Sequence, residues 1–175
     1  MNFKEIDIKD LSLNPVTMFS ESWPLLTAGS KVSGFNTMTI SWGHIGSIWS
    51  VPSDGTITVY VRPHRYTKQF MDSNDLFTVS ILPSDYKKAL GYLGRVSGRD
   101  EDKVYNTGIL PLFKEGFTYF GEATMVFVCR KLYHSPMLAD GFVDKTLMDK
   151  HYPDKDYHTM YIGEIIKILV KEDNR

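Results

Sequence analysis

Six stretches rich in β-branched and aromatic residues, each bounded by turn-forming residues, set the limits on what this chain can fold into. They are Trp23–Ala28, Asn36–Trp42, Thr56–Arg62, Leu76–Leu82, Gly116–Tyr133 and Thr159–Val170. In Thr56–Arg62, Ile57, Val59 and Val61 alternate with Thr58, Tyr60 and Arg62, so one face is aliphatic and the other polar and aromatic. The stretch from Gly116 to Tyr133 is far longer than a strand of about 5–6 residues, and a bend or bulge is expected at Gly121. Helical signals are short. They cover Tyr66–Met71, with Thr67 near its start and Phe70 facing inward, and a capped run from Ser84 to Leu93 that Gly94 ends. A third lies in Asp144–His151, ahead of Pro153. Strands that do not alternate with long helices argue against a doubly wound sheet and for a small, mainly β barrel. The glycines of GYLGRVSG at 91–98 follow a helix and do not match GxGxxG.

Composition narrows the function classes. A chain of 175 residues and 20.0 kDa is expected to form one domain over 1–175. Lys+Arg 20 against Asp+Glu 21 removes the general electrostatic case for nucleic acid or an anionic membrane. The opening MNFKEIDIKD lacks a signal-peptide pattern, and MVFVC and IGEIIKILV fall far short of a span of about 20 residues. A cytoplasmic, non-membrane protein is expected. The only cysteine, Cys129, excludes an intramolecular disulfide, and within MVFVCRK it reads as a buried, inert thiol. Five histidines without HxH or HExxH spacing give no metal site, and no GxSxG elbow supports a hydrolase. Aromatic residues reach 13%. That figure fits a β-rich core as well as a flat, aromatic-lined pocket.

Three segments carry chemistry. In Asn36-Thr37-Met38-Thr39-Ile40-Ser41-Trp42-Gly43, small hydroxyl and amide side chains alternate with apolar ones. This describes either a plain amphipathic strand or the wall of a pocket for a planar heteroaromatic ligand. In Tyr60-Val61-Arg62-Pro63-His64-Arg65-Tyr66-Thr67, two guanidiniums, a hydroxyl and free N–H groups at a helix start can converge on a phosphate, or sit as a solvated turn. Ser97-Gly98-Arg99-Asp100-Glu101-Asp102-Lys103 holds a hydroxyl and cations whose charge its acids nearly cancel.

In order and spacing these segments, with FTVSIL at 77–82 and HTMYIGEI at 158–165, resemble the flavin reductase family, which includes the flavoredoxins. The resemblance implies a mainly β fold, a six-stranded split β-barrel of Greek-key type with a few short α-helices, binding FMN. It implies that Asn36, Thr37, Met38, Thr39, Ser41 and Trp42 line the isoalloxazine and ribityl chain. Arg62, Arg65 and Thr67 would hold the phosphate end, closed by Ser97 and Lys103. His158 matches a family histidine that approaches the flavin and the nicotinamide pocket, and its ordinary pKa of about 6.5 would make that contact pH-sensitive. Ser135–Asp156 is longer than the loop of the smallest members and is expected to form a lid or a dimer arm. A C-terminal segment seen in longer members is missing after Val170.

The function so implied is an FMN-dependent oxidoreductase that accepts a hydride from NAD(P)H and passes electrons to free flavin or a redox partner protein. The alternative is a flavoredoxin-type electron carrier without its own NAD(P)H activity. A split-barrel oxidase acting on a vitamin B6 compound shares the barrel, but the motifs fit it less well. A homodimer is expected.

Overall fold

A computed structural model describes residues 2–172; Met1 and 173–175, which the expected domain span includes, lie outside the described residues. Strand alternation governs the fold. Leu25 and Leu26 in β2 (Leu25–Ser30), and Val126, Phe127 and Val128 in β9 (Met125–Pro136), send successive side chains into two different cores. One core lies inside the curled sheet. It contains Leu26, Val59, Val61, Phe77, Val79, Phe127, Cys129, Tyr161 and Ile168. The other lies between the sheet and its outer elements, where Leu25, Leu90, Leu93, Phe120, Val126 and Val128 meet. Each fully buried side chain of this size contributes roughly 1.5–3 kcal/mol. Burial also pushes the Cys129 thiol well above its usual range, in keeping with an inert core residue.

The main sheet is antiparallel, in the order β3-β2-β6-β9-β10-β5-β4, with β1 (Phe3–Ile6) added on β10. Its other strands are β3 (Gly34–Thr39), β4 (Gly43–Gly46), β5 (Thr56–Val61), β6 (Leu76–Ile81) and β10 (Thr159–Lys171). A separate hairpin pairs β7 (Pro111–Lys114) with β8 (Phe117–Phe120). Five helices decorate the sheet: α1 (Pro15–Ser20), α2 (Tyr66–Ser73), α3 (Lys87–Arg95), α4 (Lys103–Thr107) and α5 (Thr146–His151). The architecture is the expected mainly β split barrel, with more strands than the six read from sequence.

The differences have local causes. The Asn36–Trp42 run breaks because β2 offers no partner beyond Leu25, and Ile40 N donates instead to the Pro24 carbonyl. Gly116–Tyr133 divides at the expected glycine. Gly121 N turns away to the Leu110 carbonyl, and Ala123 N closes a turn on the Phe120 carbonyl. Gly94 does not end α3, which runs on to Arg95, and Ser84–Tyr86 enters it as a 3-10 turn without a side-chain cap. Gly94 serves packing, since a Cβ there would lie 3.2 Å from Thr39 Cβ. In the β2–β3 hairpin, Gly29 has φ +97°, and a Cβ would overlap the Gly34 carbonyl oxygen.

The sheet path therefore ends in two open edges, β3 and β4, and Ile40-Ser41-Trp42 carries the chain from one to the other. This seam is where the barrel is split.

Candidate functional site

A cleft of about 200 Å³ opens beside the seam, lined by His64, Arg65, Tyr66, Thr67, Arg95, Val96, Ser97 and Lys103. Local structure builds it. Pro63 ends β5, and the chain turns into α2, whose first turn carries no side-chain cap. Lys68 N donates to the Arg65 carbonyl, and the N–H groups of Tyr66 and Thr67 are left for another acceptor. Across the cleft, α3 unwinds into Val96-Ser97, where Lys103 holds the turn. Its buried ammonium donates to the carbonyls of Leu93 (3.1 Å) and Val96 (3.0 Å). Arg65 Nη2 donates to the Gly94 carbonyl at 2.6 Å.

Three cations, Arg65, Arg95 and Lys103, line this small volume, and among the described residues none of them pairs with a carboxylate. Burial lowers the pKa of Lys103 to about 8, with the charge of Arg65 adding to the effect. Burial also lowers that of Arg65. An anion placed here would relieve both groups. The Ser97 hydroxyl, guanidinium, ammonium and helix-start N–H groups form the donor set that suits a phosphate, so these residues fit the phosphate of a flavin mononucleotide.

Arg62 lies elsewhere. Its Nη1 meets Asp156 Oδ2 at 2.5 Å, its Nη2 donates to the His151 carbonyl at 2.8 Å, and its guanidinium covers the Tyr152 ring. The ion pair holds the Asp156 carboxyl below the usual range, although burial opposes it. Arg62 thus pins the strap of residues 137–157, which takes in most of the Ser135–Asp156 segment expected as a lid or arm, Ser135 and Pro136 belonging to β9. The strap carries α5 and packs Phe142, Tyr152 and Tyr157 together. His64 joins the two regions. It lines the cleft, and its Nδ1 lies 3.5 Å from Asp156 Oδ2.

His158 is buried under this strap just ahead of β10. Its Nδ1 and the Tyr152 hydroxyl are 2.8 Å apart, and its ring lies 5.0 Å from that of Trp42. Burial, reinforced by Arg62, lowers its pKa to about 4. The ring is therefore neutral at physiological pH, which corrects the expectation of a contact titrating near 6.5.

The β3 residues divide by face. Thr37 is fully buried and spent on Thr27 Oγ1 and the Leu26 carbonyl. Met38 belongs to the inner core. Thr39 donates to the Leu90 carbonyl at 2.6 Å, and Asn36 accepts from Thr67 Oγ1 at 2.9 Å. Asn36 and Thr39 thus tie the sheet to α2 and α3, Thr37 and Met38 are spent within the sheet and the inner core, and Ser41 and the half-exposed Trp42 sit at the seam itself. Ser41 and Trp42 also line an apolar groove of about 620 Å³, with Val16, Phe19, Ile45, Tyr60, Met137, Phe142 and Leu147. Sequence reasoning missed Arg95, His64, Tyr152 and Asp156. His64 and Arg95 stood inside quoted segments, and Tyr152 and Asp156 inside Ser135–Asp156, but local pattern does not single them out, because they reach the site through tertiary contacts. Among the described residues no group of His, Cys, Asp and Glu is arranged to hold a metal, and no helix is long and apolar enough to cross a membrane.

Fold and site together define a split β-barrel with an anion-attracting cleft at its seam. The chain belongs to the flavin reductase like domain family, which matches residues 18–175. Among solved structures, it is similar to an FMN-binding domain of a flavin reductases-like enzyme from Shewanella baltica (13% identity, 97% of this chain and 77% of that one, TM-score 0.67). It is also similar to the flavoredoxin of Desulfovibrio vulgaris (26% identity, 93% and 77%, TM-score 0.63). A third is an NADH:FAD oxidoreductase of Streptomyces globisporus (17% identity, 85% and 74%, TM-score 0.61). A comparison with curated proteins returns no match.

Proposed function

We propose that this chain binds FMN at the seam, accepts a hydride from NAD(P)H through it, and passes electrons to free flavin or a redox partner protein. The observation that carries the proposal is a cleft with three cations that, among the described residues, have no carboxylate partner, set beside an aromatic wall at the split of the barrel. When bound, FMN supplies the electron-accepting ring. Arg65, Lys103, Ser97 and the first turn of α2 offer charge-assisted hydrogen bonds to its phosphate, each worth roughly 1.5–3 kcal/mol. Trp42, Met137 and Tyr152 give the seam a water-excluding wall. His158, tied to Tyr152 and set against Trp42, orients the wall. Hydride transfer needs no general base, in keeping with a site that offers no pair of carboxylates. The 26%-identical flavoredoxin supports a flavin in the cleft. The Streptomyces neighbour, an NADH:FAD oxidoreductase, is consistent with a nicotinamide reductant.

The test is direct. Protein loaded with FMN is mixed anaerobically with NADH or NADPH while the visible flavin band is followed. Rapid bleaching supports the reductase. A colour that persists with both nucleotides but yields to dithionite would instead favour an electron carrier fed by a separate reductase. Failure to retain or bind FMN would overturn both.

A further inference from the structure

We infer that Asn36 is a positioning residue for the phosphate cleft, a carboxamide brace set between the start of α2 and the Ser97–Gly98 turn; this rests on the flavin reading above. The family pattern would put Asn36 against the flavin ring, whereas its surroundings give it a different task. It is 7% exposed. Thr67, in the first turn of α2, donates its hydroxyl hydrogen to Asn36 Oδ1 at 2.9 Å. That hydrogen is the only one the hydroxyl has. Thr67 therefore meets an anion with its backbone N–H, and the Asn36 contact fixes where that N–H stands.

The other end of the carboxamide explains Gly98. This glycine lacks the positive φ that marks Gly29, Gly34, Gly108 and Gly116, so it is not needed for backbone freedom. It is needed for room. A Cβ at Gly98 would overlap Asn36 Nδ2 and lie 3.2 Å from Tyr66 Cδ1. The amide of Asn36 occupies the space a side chain at 98 would take, and so sets the distance between the turn and the helix.

Independent contacts hold the remaining sides of the same frame. Lys103 ties the turn through the Leu93 and Val96 carbonyls. The Arg99 guanidinium covers the Tyr66 ring at 4.6 Å and donates to the His64 carbonyl at 3.1 Å. Asn36 is the member that spans from sheet to helix to turn. Binding groups must stand within about 0.5 Å of their productive places, so its effect is read in affinity for the phosphate.

A double-mutant cycle tests the brace. FMN and riboflavin, which differ by the phosphate, are titrated against wild type, Asn36→Ala, Gly98→Ala and the double variant, with the melting temperature measured for each. Each single substitution should weaken FMN about tenfold and riboflavin far less, the loss expected from one charge-assisted hydrogen bond. Gly98→Ala should cost far less once Asn36 is alanine, because the overlapping amide is gone and only the Tyr66 contact remains. If Gly98→Ala melts early, Thr67→Val replaces it. It should match Asn36→Ala, and the pair should be non-additive. Additive losses, or equal losses for FMN and riboflavin, overturn the brace while leaving flavin binding intact. Wild-type protein that binds neither flavin overturns the function and the brace together.

Discussion

Lys103 shows how one buried charge can be both a structural tie and a ligand group. Its ammonium satisfies two carbonyls, and burial brings its pKa down to about 8, within reach of ordinary buffers. A bound phosphate favours the protonated form, so the complex holds the proton more tightly than the free protein. FMN affinity is therefore predicted to fall as pH rises through about 8. Fluorescence titrations at pH 7 and pH 9 would show it, and Lys103→Met should flatten the profile while weakening binding throughout. An unchanged affinity across that range would remove Lys103 from the phosphate site. His158 titrates in the opposite setting. Its folded pKa of about 4 lies below the unfolded value of about 6.5, so the unfolded chain takes up the proton first. Stability should be full above about pH 6.5 and fall toward pH 4, by up to about 1.4 kcal/mol per pH unit. In urea melts over this range, His158→Gln should lose that slope. A variant that keeps the wild-type slope would assign it to another group.

Among the elements, the strap of residues 137–157 depends most on a single side chain. Arg62→Ala removes the Asp156 ion pair and the bond to the His151 carbonyl, leaving a mostly buried carboxylate short of a partner. A loss of about 1–3 kcal/mol is expected, confined to the strap. Hydrogen exchange should quicken in 151–158 and stay unchanged in α2 and β6. Uniform exchange across all three would mean that Arg62 supports the whole fold. The same residue marks where the sequence ceases to be informative. Alternation in Thr56–Val61 and Leu76–Ile81 reveals strands directly, because one periodicity decides which face is buried. β1, β4 and β7 are four residues each, too short for alternation to stand out. Arg65, Thr67, Ser97 and Lys103 are legible as a group because their segments are compact and polar. Arg62 looks the same locally, yet its partner lies 94 residues away, and no local pattern encodes that pairing. Asn14, by contrast, caps α1 through Val16 N and Thr17 N ahead of Pro15. An Asn directly before a Pro is a helix-start signal that the sequence itself carries.

For the molecule as a whole, exposed apolar side chains mark the 620 Å³ groove and the strap over it. Val16 (71% exposed), Trp42 and Leu147 line the groove, and in the strap Leu138 (66%) and Val143 (fully exposed) follow the lining residues Met137 and Phe142 in sequence. A surface of this kind calls for a cover. The expected cover is a second copy of the chain, with the strap at the interface. Light scattering at micromolar concentration should return twice 20.0 kDa. A single 20.0 kDa species with FMN bound would rule the dimer out, and Val143→Glu should shift a real dimer toward monomer.

The seam between β3 and β4 has a mechanical consequence. A closed barrel carries load through a continuous ring of ladder hydrogen bonds, and this one is interrupted at Ile40-Ser41-Trp42. Under thermal or pulling force the ring should part there first, as a clasp opens before the band it fastens. A molecule that bridges from Trp42 to the cleft at α2 would fasten that clasp. Occupancy at a hundred times the dissociation constant adds about 2.7 kcal/mol to stability. Most of that gain should appear as slower exchange in β3 and β4, the two edges with no strand on their outer side.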